Sequence, residues 1–274
     1  MSVTTFLKGG CANQLFQYTT GLALAQRLNT DLRLCVARYA QENEWRMYSL
    51  GLFKGITEET TLAIGVPVIE EQGMPYNPAL LADAPDGCTI VGYWQTESYF
   101  NHLRTELKTR LVPKQPLEQY HLDIERKILH EGERSVALTV RRTDYVGNSF
   151  HGLLDMDYYE RAAVHIGDRV NDPCFFIFTD DLPWCRENFR LPYRMVLAGN
   201  FDRTIKPHLG REDADLWLMS LCQHAIGANS SYSWWARWLS VHEHDGISIF
   251  PERWFGPSSS EDARDIVPQR WIKL

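Results

Sequence analysis

Short apolar, β-branched runs in this chain alternate with segments whose apolar residues recur at helical spacing, and this constrains the fold most. The runs Val3–Leu7, Leu32–Val36, Val66–Ile69, Thr89–Trp94, Val136–Val140, Phe175–Thr179, Ile226–Ala228 and Ile247–Phe250 predict strands. Between them, Gln14–Leu28, Tyr99–Arg110, Leu117–His130, Asp157–Ile166 and Asp213–His224 predict helices. In the first of these, Leu15, Tyr18, Leu22 and Ala25 fall on one stripe. Strands alternating with helices point to an α/β fold with parallel sheets built from βαβ units.

A chain of 274 residues is long enough for one large domain or two ordinary ones. The divide is expected near 113–134, where VPKQP precedes a charged helix and EGER. That separates a looser N-terminal lobe, 1–115, from a more regular Rossmann-like lobe, 116–274. PSSSEDAR near the C-terminus reads as an exposed loop. An apolar fraction of 44% and a charged fraction of 23% suit a globular protein. The net charge of -7 gives no support to a nucleic-acid partner, although local arginines can still hold a small anion. The six cysteines lack the spacing of a zinc knuckle or a redox pair, and Cys35, Cys174 and Cys222 lie in apolar surroundings. Thiols in a reducing compartment are expected. The N-terminus lacks the pattern of a signal peptide, and no apolar run is long enough to span a bilayer. That suggests a cytoplasmic location.

In open α/β sheets, ligands bind beyond the carboxyl ends of the strands. Here those ends carry Lys8-Gly9-Gly10-Cys11-Ala12-Asn13-Gln14, Arg141-Arg142-Thr143-Asp144-Tyr145, Asp180-Asp181 and Asn229-Ser230-Ser231-Tyr232-Ser233. Adjacent side chains on an extended segment point in opposite directions, so one arginine can face a ligand while the other turns into the protein. A guanidinium is a permanently charged, planar fork suited to a diphosphate, and Asp144 can fix whichever arginine points inward. A surface arginine pair with an ion-paired aspartate fits the spacing equally well. The Gly9-Gly10 turn before a helix can offer amides to an anion or a sugar hydroxyl, with Gly10 and Asn13 as candidates, or it can be only a turn. It matches neither a dinucleotide fingerprint nor a Walker A loop. Asn229, Ser230, Ser231 and Tyr232 can cap a core helix, donate to phosphate, or do both.

Asp155-Met156-Asp157 and Asp213-Ala214-Asp215 could hold a divalent ion, but each opens an expected helix, where an acidic cap serves as well. Asp180-Asp181 is open among cap, ligand contact and metal site. His151 could be a general base or a sugar contact. His224 belongs with the binding candidates, although a histidine preceding an apolar strand is also at home in a core.

Several of these segments together resemble the bacterial α-1,2-fucosyltransferases. Gly9 to Tyr18 is similar to their opening GGxGNQxFQY, and Thr139 to Tyr145 to HxRRxDY. Gly92 to Phe100 resembles GYxQSxxYF, and Phe178 to Cys185 resembles FSDDxxWC. Leu218 to Trp235 resembles LMSxCxxxIxxNSSFSWW, and Pro251 to Trp254 the closing PxxW. The matches keep the family order from residue 8 to about 255. Thr139 replaces the usual histidine and Ala12 the usual glycine, which puts a base contact and a backbone conformation in question.

The resemblance implies a GT-B-like architecture of two Rossmann-type lobes, with the N-terminal lobe on the acceptor side. It implies GDP-fucose as donor, no metal or other cofactor, and inverting transfer of fucose to the 2-hydroxyl of a galactose-terminated glycan. By that resemblance Arg141 contacts the diphosphate, Arg142 and Asp144 organise the loop, and Ser230, Ser231 and Tyr232 donate to phosphate. Thr139 would lie near the nucleotide. Asp144, His151 and Glu97 are the candidates for taking the acceptor proton. Two rivals stand beside this: a metal-dependent nucleotide-sugar transferase using Asp155 and Asp157, and a non-catalytic glycan-binding module using the nine tryptophans.

Overall fold

The computed structural model describes residues 1–41, 46–199 and 211–274. Met1–Lys114 with Glu261–Pro268 form one compact unit, and Gln115–Ser260 with Gln269–Leu274 form a second. The tail therefore departs from the two-lobe division expected at 115/116. Its Glu261–Pro268 stretch belongs to the first unit, where Ile266 and Val267 are buried and the Asp265 carboxylate accepts from the Tyr76 amide at 2.9 Å.

The first unit holds β1 (Ser2–Phe6), α1 (Cys11–Leu28), β2 (Asp31–Cys35), β3 (Glu59–Thr61), β4 (Val68–Glu70), α2 (Ala79–Ala82), β5 (Thr89–Val91) and α3 (Arg104–Arg110). Its five strands pair in the order β3-β2-β1-β5-β4, all parallel. The expected stripe of α1 is buried, but so is nearly every residue from Cys11 to Ala25. The helix lies inside the unit rather than along its surface. Only the last part of the expected Tyr99–Arg110 helix is α-helical, preceded by 3-10 turns at Glu97–Tyr99 and Asn101–Leu103.

The second unit holds α4 (Gln119–Glu131), β6 (Ser135–Val140), α5 (Met156–Gly167), β7 (Cys174–Thr179), α6 (Leu182–Asn188), β8 (Arg194–Leu197), α7 (Glu212–Ser220), β9 (His224–Ile226), α8 (Ser231–Leu239), β10 (Ser248–Phe250) and β11 (Ile272–Lys273). The strand order is β11-β10-β9-β6-β7-β8, again all parallel. Every residue of β6 is buried, and its apolar side chains pack with Tyr158, Tyr159, Ala162, Ala163 and Ile166 of α5. These recur at intervals of about one helical turn, so α5 covers one face of the sheet. The molecule is thus α/β with two parallel sheets. All six cysteines are buried thiols outside any disulfide. No helix among the described residues is long and apolar enough to cross a membrane.

β9 begins two residues before the expected Ile226–Ala228, and α7 stops at Ser220 rather than His224. The short strands β3, β8 and β11 were not expected: the first two carry many exposed or half-buried residues, and β11 spans only two. Edge positions lack the apolar run that marks a central strand.

Candidate active site

β6 and β7 run parallel with Val140 opposite Thr179. Continued by one and two residues, that register brings Arg141 beside Asp180 and Arg142 beside Asp181. The side chains pair accordingly. Arg141 Nη1 lies 2.7 Å from Asp180 Oδ2 and Nη2 bonds Asp144 Oδ1, while Arg142 Nε lies 3.2 Å from Asp181 Oδ2. Arg142 also stacks over Trp184 at 3.6 Å, an arrangement that favours a cation through the ring quadrupole. Asp181 caps α6 by accepting from the Trp184 amide at 3.1 Å.

Asp180 is the hub of this network. Its side chain is 6% exposed and accepts from Arg141 Nη1, from the Arg142 amide at 2.8 Å and from Thr143 Oγ1 at 2.6 Å. A carboxylate with three donors is well compensated for burial. Sequence reasoning left Asp180 undecided among three roles because the β6/β7 pairing cannot be read from one chain. The available signal was that both strands end in charged pairs of opposite sign. Asp144 was expected to fix the arginine that points inward; here it bonds Arg141, while Arg142 is held by Asp181 and Trp184.

Beyond the pair, the chain makes a 3-10 turn at Thr143–Tyr145. The Tyr145 ring lies 5.4 Å from the Arg141 guanidinium and stacks on His151 at 4.6 Å, with 8° between the rings. Its hydroxyl donates to the Asn229 carbonyl at 3.0 Å. His151 is held there by Asn148, whose side-chain oxygen accepts from the His151 amide at 3.2 Å. Arg141, Asp144 and His151 are thus gathered around one tyrosine.

The third strand end is α8. Ser230 is its N-cap, accepting from the Tyr232 amide at 3.3 Å, with Ser231 half-buried in the first turn. Four of the binding candidates have their side-chain polar groups engaged within the protein. The Asn229 side-chain amide is committed to the carbonyls of His151, Gly152 and Trp254 at 2.8, 3.1 and 3.0 Å, so it ties loops together instead of facing outward. The Tyr232 hydroxyl donates to the Glu212 carbonyl, and its proton is not left for a phosphate. The Thr139 hydroxyl donates to the Ile226 carbonyl at 3.3 Å and accepts from the Ala228 amide at 3.0 Å, which lengthens the β6–β9 ladder. His224 starts β9 opposite Val136, at the amino end of the sheet and away from the arginines. Both its ring nitrogens are used: Nδ1 accepts from the Ile247 amide at 2.9 Å, and Nε2 meets the Glu133 carbonyl at 3.0 Å. That fixes the proton on Nε2, and burial pushes the pKa below the usual histidine range. It is a core histidine.

In the other unit, Gly9 turns the chain at φ +78, a conformation that strains residues bearing a Cβ. Gly10 then precedes α1 without a side-chain cap. Asn13 Oδ1 accepts from Gln95 Nε2 at 2.8 Å. Ala12 lies within α1 with no positive φ, so the replaced glycine costs nothing there. Glu97 lies 3.8 Å from Arg104.

Asp155 caps α5 through the Tyr158 amide at 3.1 Å, Asp157 pairs with Arg161 at 2.8 Å, and buried Asp213 pairs with Arg211 at 2.9 Å. Among the described residues, no cluster of three potential metal ligands forms. Trp94, Trp234, Trp235, Trp238, Trp254 and Trp271 are buried, which removes them as stacking platforms for sugars.

A parallel α/β unit with paired arginines at the carboxyl end of a central strand is an arrangement able to hold a phosphorylated ligand. The family model for glycosyl transferase family 11 matches residues 88–274, and the chain belongs to that family. An α-1,2-colitosyltransferase of Escherichia coli is 26% identical, over 99% of this chain and 98% of that protein. Galactoside α-(1,2)-fucosyltransferase 2 of Sus scrofa is 28% identical over 56% of this chain, and the match spans only 46% of the pig protein. In fold, the chain is similar to a variant of Arabidopsis thaliana FUT1 solved with GDP, at a TM-score of 0.50 and 8% identity. That alignment covers 97% of this chain and 74% of the plant protein.

Proposed function

We propose that this chain is an inverting, metal-independent transferase that moves L-fucose from GDP-β-L-fucose to the 2-hydroxyl of a galactose-terminated glycan. The observation that carries the proposal is Arg141, set at the end of β6 and gripped by the buried carboxylate of Asp180. As the anomeric bond breaks, its electron pair leaves with the diphosphate while the sugar becomes oxocarbenium-like. A cation fixed beforehand at the diphosphate stabilises that state more than the ground state. The Ser230 and Ser231 turn at the start of α8 supplies further donors and the positive end of a helix. The acceptor oxygen bonds to the anomeric carbon from the opposite face and gives up its proton.

Electrostatics adds a requirement. Three carboxylates, Asp144, Asp180 and Asp181, already surround two guanidiniums. A diphosphate therefore has to displace one carboxylate from Arg141. Asp144, 31% exposed, is the one that can turn to water, whereas Asp180 is buried under three donors. Once released, Asp144 joins His151 as a group beside Arg141 able to take the acceptor proton.

The match to the colitosyltransferase over nearly both full lengths favours a second donor, GDP-colitose, whose sugar is fucose without the 3-hydroxyl. Either donor can be tested by incubation with a panel of galactose-terminated glycans and assignment of the product linkage by NMR. GDP should bind and raise Tm in EDTA. Loss of GDP binding on chelation would overturn the metal-independent assignment, and turnover of GDP-colitose alone would replace the donor.

A further inference from the structure

The donor network leaves unexplained a second set of polar groups, at the carboxyl edge of the first unit. The strand order sets β1, β5 and β4 side by side, so the segments following them share one edge. They carry Lys8, Tyr93 to Gln95, and Glu71. Glu71 spans two successive amides, accepting from Tyr93 at 2.6 Å and Trp94 at 2.9 Å. Lys8 Nζ stands 4.5 Å from the centre of the Tyr93 ring, and Gln95 reaches across to Asn13 at 2.8 Å. The two loops flanking the gap between β1 and β5 are therefore cross-tied at the place where an open parallel sheet binds ligands.

Two features show that this edge is built at a cost. Trp94 is fully buried with φ +56, a region that bulky residues rarely enter, and its indole N–H has no hydrogen-bond partner. Such outliers concentrate where a surrounding structure has to hold a site. Gly92 is packed so closely that a Cβ would come within 2.4 Å of Glu71 Cβ, which locks that carboxylate in place. Burial raises the Glu71 pKa, opposed by the Tyr93 and Trp94 amides and by Lys8, with Glu261 adding to the rise. Lys8, Asn13, Glu71 and Tyr93 all remain half-exposed.

We propose that this edge is a subsite for a neutral sugar ring, with Glu71 accepting hydrogen bonds from its hydroxyls and Lys8 donating to it. An anion would be opposed by Glu71 and a cation by Lys8, whereas a sugar hydroxyl both donates and accepts and is suited to the pair. The subsite deepens the proposed transfer by locating where the first unit recognises the acceptor, and it rests on that proposal only for the kind of sugar.

Methyl β-D-galactopyranoside is the probe, titrated by ligand-observed NMR into the full chain without GDP-fucose, with GDP titrated separately. Glu71→Gln should weaken galactoside binding about 10- to 100-fold, the usual worth of a charge-assisted hydrogen bond. Lys8→Met should weaken it several-fold, and both variants should bind GDP as the wild type does. Lys8→Met also keeps the test open if Glu71→Gln loosens the Trp94 turn. A wild type that binds GDP but not the galactoside overturns the subsite alone, as do folded variants with unchanged galactoside affinity. A wild type that binds the galactoside but not GDP leaves the subsite standing and removes the donor assignment.

Discussion

The two sheets end in loops of the same kind, held in opposite ways. In the first unit the Gly9 turn is clamped by neutral amides. Fully buried Gln14 donates to the carbonyls of Gly9 and Met47 at 3.1 and 2.8 Å and accepts from the Ser49 amide at 2.9 Å. Gln17, also fully buried, both accepts from and donates to the Lys8 backbone at 2.9 and 3.1 Å. In the second unit the loop after β6 is clamped by charges: Arg141 and Arg142 against Asp144, Asp180 and Asp181. An amide clamp fixes shape without taking a charge out of water. An ionic clamp costs desolvation and does not by itself favour stability over an uncharged one. A charge kept where an amide would serve indicates that the second site needs a field as well as a shape.

The largest expected effect removes that field. Arg141→Ala should lower kcat/KM for GDP-fucose by about 100- to 1000-fold, the usual loss when a preorganised donor to developing charge is deleted. Arg141→Lys should recover little, because an ammonium cannot reproduce the planar fork between two carboxylates. Kinetics at saturating acceptor, with Tm measured alongside, checks both. A fully active Arg141→Ala protein would mean that the ionic clamp is only structural.

Asp180→Ala tests how the two roles are joined. It strips three donors of their acceptor and leaves Arg141 with Asp144 alone. Breaking a buried pair from one side should cost about 3 kcal/mol of stability, and turnover should fall with it. Urea unfolding reports the first and steady-state rates the second. Unchanged stability would show that the hub is not supporting the loop.

Gln17→Ala should give the contrasting result in the first unit. Two hydrogen bonds to the Lys8 backbone are lost, worth about 1–3 kcal/mol together. GDP affinity should stay within about two-fold if nucleotide recognition belongs to the charged loop. GDP titration on the folded variant decides it: a ten-fold loss would show that the amide clamp also shapes the nucleotide site.

How far these sites were legible in the sequence follows from the same contrast. The central strands β6 and β7 were clear because buried parallel strands are largely apolar runs, β1 because its residues are mostly β-branched, and the arginine pair stood out at the end of β6. Asp180 was visible as an acid but not as the hub, since the β6/β7 register is a tertiary fact. For Asn229, Thr139 and Tyr232 the sequence concealed one and the same thing. Each is a polar residue at a strand end or helix start, and sequence cannot show that its hydrogen bonds are already spent on backbone carbonyls. His224 precedes the apolar run, so it stands at the amino end of the sheet on either strand boundary, and its two ring hydrogen bonds agree with the core reading that the sequence already offered. The clamp of Gln14 and Gln17 lay within the resembling motif, yet no periodicity marks a glutamine buried inside a helix.

The smallest expected effect distinguishes the two units by pH. In the second unit, burial lowers the pKa of His224 and His121 below the ordinary 6.5. Between the folded and unfolded pKa the unfolded chain binds more protons, so their contribution to stability is complete above about pH 6.5 and is lost as pH falls through the folded pKa. In the first unit, burial raises the pKa of Glu71 above the ordinary 4.5. There the native state binds the proton more tightly, and the contribution is fully present below 4.5 and lost as pH rises through the folded pKa. Lowering the pH below 6.5 should therefore weaken the second unit, and approaching 4.5 should ease the cost of the Glu71 carboxylate in the first. Amide hydrogen exchange, corrected for the intrinsic pH dependence of the rate, reads the two units separately in one sample. Protection around β6 and β9 should fall relative to protection around β1 and β5. His224→Gln should flatten the first trend and Glu71→Gln the second. Parallel loss in both units, unaffected by either substitution, would mean that acid acts on the chain as a whole rather than through these buried groups.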